Sequence, residues 1–103
     1  GLTESFRENG QLLYKSNYKN GERNGLTESF RENGQLNTTR YYKDGKPFGP
    51  WSYFYENGQL SSRRYYKDFA ADGLWEAYEE NGRLKFIDCY KNNEEVDMSY
   101  CEK

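Results

Sequence analysis

Glycine recurs at Gly1, Gly25, Gly49 and Gly73, each 24 residues after the one before, with no insertion between them. Every copy carries Asn-Gly at its ninth and tenth positions (Asn9-Gly10, Asn33-Gly34, Asn57-Gly58, Asn81-Gly82). Glu precedes that pair, Leu stands at position twelve, and Tyr-Lys at positions eighteen and nineteen. The block Gly1 to Leu12 even returns letter for letter at Gly25 to Leu36. A fixed period of this length marks a tandem array in which each unit is completed by its neighbours. The units are 1–24, 25–48, 49–72 and 73–96, with a partial fifth unit at 97–103, all in one repeat domain.

Asn-Gly between extended, aromatic-rich segments signals a hairpin, because glycine accepts the positive φ that a tight turn imposes. Each unit is therefore one hairpin. A two-residue loop would set position six opposite the variable position thirteen. A three-residue Glu-Asn-Gly loop, a type I turn followed by a left-handed Gly, sets it opposite the invariant Leu, and matched apolar cross-strand pairs favour the second. Further turn signals at Asn20-Gly21, Asp44-Gly45 and Asn92-Asn93 join the hairpins antiparallel. The expected fold is all-β: an elongated, twisted, single-layer antiparallel meander of eight strands plus a short ninth, ending in a strand at Met98 to Cys101.

Strict alternation would divide that sheet into two faces. One face is expected to hold positions four, six, twelve, fourteen, sixteen and eighteen. Its repeat core would be Phe6, Leu12, Tyr18, Phe30, Leu36, Tyr42, Phe54, Leu60, Tyr66, Tyr78, Leu84 and Tyr90. The other, with positions three, five, seven, fifteen and seventeen, changes along the array: Thr3, Ser5 and Arg7 become Trp51, Tyr53 and Tyr55. The candidate partner-binding residues on it are Tyr41, Trp51, Tyr53, Tyr55, Arg63, Tyr65 and Trp75, since Tyr, Trp and Arg dominate interface hot spots. The competing reading is that Trp51 and Trp75 only shield the strands.

Composition narrows the function. Apolar residues make up 34% of the chain but aromatics 18%, so rings replace aliphatic side chains as the covering of a sheet, and disorder is excluded. There is no His, which removes His-based acid-base and metal chemistry, and each Gly stands alone at a turn rather than in a phosphate loop. No catalytic residue, metal site or cofactor is expected. Fifteen basic against seventeen acidic residues, a net charge of -2, argue against nucleic acid and against an anionic membrane as partners. No apolar run approaches the roughly 20 residues of a membrane span, and no signal-peptide pattern appears.

Cys89 and Cys101 are the only cysteines, at positions seventeen and five of successive units. A turn centred on Glu95 would set them opposite each other on neighbouring strands. Either they form a disulfide that staples the last strand, as in a secreted or surface protein, or they are free thiols of a reducing cytoplasm. Unpaired edges at both ends imply further repeats in a longer chain, of which a sequence beginning at Gly1 is a piece, or edge-to-edge association with another copy.

Written as G-x-W-x-x-F/Y-x-E-N-G-Q-L, the unit resembles the variant MORN repeat of bacterial proteins, including YwqK family antitoxins. The resemblance is carried by "GPWSYFYENGQLSSRRYYKD" (Gly49 to Asp68) and "GLWEAYEENGRL" (Gly73 to Leu84). It implies an interaction module, with a toxin protein as the partner if the antitoxin likeness extends to function. The alternatives are a structural spacer or surface-repeat segment and a membrane-associating module. Two departures stand out: Thr3 and Thr27 replace the usual Trp, and Asp68-Phe69 replaces the linker Asp-Gly, so a distorted junction is expected near Phe69 to Asp72.

Overall fold

The computed structural model describes residues 1–102. Nine strands follow one another: β1 (Leu2–Phe6), β2 (Leu12–Lys19), β3 (Glu22–Phe30), β4 (Leu36–Lys43), β5 (Lys46–Phe54), β6 (Leu60–Lys67), β7 (Ala70–Tyr78), β8 (Leu84–Lys91) and β9 (Glu94–Val96). They form one antiparallel sheet in chain order, the meander that the repeat predicts. The molecule measures 46 × 38 × 17 Å, so its thin dimension is a single sheet with its side chains. The end of the chain departs from expectation: Met98–Glu102 is a 3-10 turn rather than a strand. Lys103, the last residue of the partial unit, lies outside the described residues.

Two kinds of turn alternate. Within a unit the loop is Glu-Asn-Gly: the Arg7 amide donates to the Gln11 carbonyl at 2.7 Å, the Gly10 amide to the Arg7 carbonyl at 2.9 Å, and Gly10 takes φ 86°. The Asn is explained by a further bond, its Oδ1 accepting from the backbone amide two residues on, at 2.9 to 3.0 Å in all four units. Phe6 accordingly pairs with Leu12, as do Phe30 with Leu36, Phe54 with Leu60 and Tyr78 with Leu84. Between units two residues with positive φ make the turn, as at Asn20 (54°) and Gly21 (80°). Asp68 (48°) and Phe69 (72°) repeat that geometry, so the third junction is not distorted. Phe69 instead takes a conformation that favours glycine.

A bulge overturns the expected faces. Ser5 pairs with Tyr14 while Phe6 pairs with Leu12, so position thirteen is an extra residue in every second arm, and all units repeat this shift. One inserted residue moves everything after it to the other side of the sheet. Positions three and five therefore share a face with fourteen, sixteen and eighteen, and positions two, four and six with twelve, fifteen and seventeen. The expected repeat core is split: its Phe and Leu lie on one side and Tyr18, Tyr42, Tyr66 and Tyr90 on the other. It is not a buried core either, for Phe6 is 58% and Leu84 54% exposed.

What is buried is small. Ser16, Ala71, Ala77, Cys89, Thr27, Thr38, Ser52 and Glu76 are the buried residues among those described. With no second layer to pack on, mostly short side chains escape solvent; Glu76 is the exception, held by Arg63 and Tyr78.

Candidate binding surface

The face holding Trp51 and Trp75 carries a row of rings running across the strands. Trp51, on β5, sits between Tyr42 on β4 (ring centroids 5.5 Å apart) and Tyr66 on β6 (4.9 Å). Its indole Nε1 donates to the Tyr41 carbonyl at 3.0 Å. Trp75, on β7, meets Phe86 edge-on at 5.1 Å and Tyr90 at 5.7 Å. Tilted and edge-on arrangements at these separations suit the ring quadrupoles and add to the area they cover.

Arginines complete the row. Arg40 lies 5.0 Å over Trp51; Arg64 lies 4.3 Å over Trp75 and 5.0 Å over Tyr90. Arg23 donates from Nε to the Tyr18 hydroxyl and from Nη1 to the Tyr42 hydroxyl, each at 3.3 Å. Its pKa stands above the ordinary value, chiefly through the Tyr18 bond and against the opposing effect of burial. Neither Arg40 nor Arg64 has an ion-pair partner among the described residues, and the Nε of each is buried without a hydrogen bond. Stacking on a ring holds a guanidinium in a fixed plane with its edge donors free.

The seven candidate residues do not form one patch. Trp51, Tyr53, Tyr55 and Trp75 lie on this rung face; Tyr41, Arg63 and Tyr65 lie on the other, because the bulge separates position three from fifteen and seventeen. Tyr55 is engaged within the array, its hydroxyl donating to the Tyr78 carbonyl of the next unit at 2.7 Å. Arg7 and Arg31 at the same unit position donate likewise to the Phe30 and Phe54 carbonyls at 2.9 and 2.6 Å. Tyr53, half-buried and paired with Thr38 and Ser62, has a hydroxyl with no partner among the described residues.

The opposite face has its own features. Arg63 pairs with Glu76 (Nε to Oε1 3.2 Å), and the Tyr78 hydroxyl donates to Glu76 Oε2 at 2.7 Å. Tyr41 is exposed, and Tyr65 lines an open hollow of about 400 Å³ with Leu74, Tyr100 and Cys101. There Cys89, on β8, is bonded to Cys101 in the 3-10 turn, with the Cα atoms 6.0 Å apart. Cys89 pairs across the strands with Val96, so the cysteines are not the cross-strand partners that a turn centred on Glu95 would make them.

Arg23 and Arg40 escaped the sequence reading. A signal existed: at the residue four places before position three, Arg23 precedes Thr27, whereas Pro47 and Ala71 precede Trp51 and Trp75. Where the indole is missing, a guanidinium bridges the two flanking tyrosines.

A single-layer sheet of repeated hairpins, with ring contacts and backbone ties running from unit to unit, defines a tandem β-repeat protein. The chain belongs to the MORN repeat variant family, whose pattern matches residues 1–20, 23–44, 49–68 and 71–92. Neither the curated proteins nor the solved structures contain a match to it. No helix among the described residues is long and apolar enough to cross a membrane.

Proposed function

We propose that this chain is a non-enzymatic module that binds another protein through the rung face. MORN repeats commonly serve to bind proteins or membranes. The observation that carries the protein reading is the grouping of Tyr53 with Trp51, Trp75, Arg40 and Arg64. These are rigid rings and oriented guanidiniums, with polar groups left unengaged. Such side chains offer large contact areas at small cost in conformational entropy. The resemblance to YwqK family antitoxins makes a toxin protein the first partner to try, and the compartment follows that partner.

The test is capture of a purified candidate toxin by the intact chain and by Tyr53→Ala. The Tyr53 side chain makes no hydrogen bond among the described residues, so the variant is expected to keep its fold by circular dichroism while binding falls at least about tenfold, the loss of one hot-spot ring. Equal capture by a folded Tyr53→Ala chain would move the interface off this face. A spacer role is the second reading, favoured by Arg7 and Arg31, which serve the array rather than the surface. It predicts no specific capture by either protein.

A further inference from the structure

Thr27 occupies on β3 the place that Trp51 occupies on β5, opposite the arginine of the following strand (Thr27 with Arg40, Trp51 with Arg64). Replacing an indole by a threonine leaves a hollow of about 140 Å³ on the rung face, lined by Tyr14, Arg23, Thr27, Ser29, Thr38 and Arg40. Two guanidiniums reach it. Arg23 spends Nε and Nη1 on tyrosine hydroxyls and keeps Nη2. The Arg40 guanidinium makes no hydrogen bond among the described residues, and its Nε is buried.

Hydroxyls supply the rest of the lining. The Thr27 hydroxyl donates to Ser16 Oγ at 3.2 Å, and Ser29 Oγ and Thr38 Oγ1 share one bond at 2.6 Å. Whichever of that pair gives its proton, the other keeps one to donate outward. The single ion pair among the described residues lies on the opposite face. On the rung face of β1 to β4 the residues that register places there are Thr3, Ser5, Tyr14, Ser16, Tyr18, Arg23, Thr27, Ser29, Thr38, Arg40 and Tyr42, none of them acidic. The hollow thus has positive charge, directed donors and no carboxylate of its own.

We propose that this hollow is an anion subsite that takes the side-chain carboxylate of an Asp or Glu in the protein partner. The inference rests on the protein-binding reading above for the source of that carboxylate. Two guanidiniums with adjoining hydroxyls match one planar monoanion, and the Trp51 ring under Arg40 fixes the fork in advance. A phosphate-rich polymer or anionic bilayer draws on many cations, and a chain of net charge -2 has no surplus to offer.

The experiment is an NMR titration of the intact chain with N-acetyl-aspartate amide, with N-acetyl-asparagine amide and inorganic phosphate as parallel arms. The readouts are the Arg23 and Arg40 side-chain Nε–Hε signals and the Thr27 and Thr38 amides. The aspartate probe should give saturable shifts with a Kd on the order of millimolar, and the asparagine probe none. Arg40→Gln, which removes the charge, should weaken binding at least about tenfold. Thr27→Trp, which fills the hollow as the third unit does, should abolish it; the amide spectrum of each variant checks its fold. Equal response to aspartate and asparagine, binding unchanged in both variants, or saturation by phosphate alone would overturn the proposal. Partner capture is scored separately. A partner held equally by wild type and Arg40→Gln sinks the subsite but leaves the module, whereas probe binding without any capture does the reverse.

Discussion

The two halves of the molecule share one backbone and solve its shielding differently. Units three and four cover the sheet with indoles, Trp51 set between Tyr42 and Tyr66 and Trp75 against Phe86 and Tyr90, capped by Arg40 and Arg64. Between units one and two the same gap is spanned by the Arg23 guanidinium, and the buried groups beneath are the hydroxyls of Ser16, Thr27 and Thr38. The ends differ as well: β1 leaves an open edge with Leu2 59% exposed, whereas β9 is short and the turn after it folds back on β7 and β8, held through Cys89 and Cys101. Identical hairpin geometry is therefore compatible with a half whose rung face is filled by rings and a half whose rung face is polar and hollowed. Stability is expected to concentrate in the first and unengaged polar groups in the second.

Truncating the rungs tests that contrast most severely. Trp51→Ala removes a ring that touches Tyr42, Tyr66 and Arg40, and should cost about 3 kcal/mol, the lower end for a large aromatic because Trp51 is only half-buried. Thr27→Ala should cost about 1 kcal/mol, one hydrogen bond to Ser16. Urea denaturation of both variants compares them directly, and equal losses would mean that the indoles do not set the stability of their half. Removing the disulfide comes next. Cys101→Ser frees a 12-residue span, for which chain entropy gives about 2 to 3 kcal/mol. The loss should appear as faster amide exchange in β8 and β9 with β2 to β4 unchanged. A uniform rise along the array would show instead that the sheet opens as one cooperative unit.

How legible this was from sequence depended on whether a residue's role was local. Asn9-Gly10 and its copies specify the turn through one residue's φ and one side-chain bond, and the Phe6–Leu12 register followed from pairing like with like. The bulge at position thirteen has no such mark: Leu13, Asn37, Ser61 and Lys85 share no property. Its consequence is nevertheless global, since it reassigned half of each unit to the other face and divided Arg63 and Tyr65 from Trp51. Tyr55 failed for another reason. Its partner is a backbone carbonyl 23 residues away, and backbone acceptors leave no trace in a sequence. The hollow was illegible because it consists of an absence, Thr27 where an indole would stand, with Arg40 brought alongside only by pairing.

Phe69 offers a test in the opposite direction. The corresponding residues after Asn20 and Asp44 are Gly21 and Gly45, and all take φ between 72° and 81°. A phenylalanine there bears the left-handed penalty with a ring that is 65% exposed. Phe69→Gly should therefore stabilise the chain by about 1 kcal/mol, after allowing for the extra entropy of glycine in the unfolded state. A rise in the melting temperature is the expected reading. A fall would mean that the Phe69 ring is engaged with the sheet, and that the third junction differs from the others after all.

The smallest expected effect distinguishes the halves by pH. Position four carries Glu28 in unit two and Glu76 in unit four, but only Glu76 accepts a hydrogen bond from a tyrosine, Tyr78; unit two has Phe30 there instead. The Tyr78 pKa is raised above its usual value near 10, first by the bond to the Glu76 carboxylate and then by burial. A group whose folded pKa is raised stabilises the fold below its unfolded pKa, and that contribution is lost as pH rises through the folded value. Tyr78→Phe should thus cost less than about 1 kcal/mol at neutral pH, since the bond is partly exposed, and the difference from wild type should shrink above pH 10. Phe30→Tyr, which offers Glu28 a hydroxyl in the polar half, should create a matching dependence only if the second unit can hold the pair as the fourth does. Melting curves of the three proteins from pH 7 to pH 11 decide it. A wild-type advantage over Tyr78→Phe that persists undiminished to pH 11 would show that the hydroxyl stabilises through packing rather than through its proton.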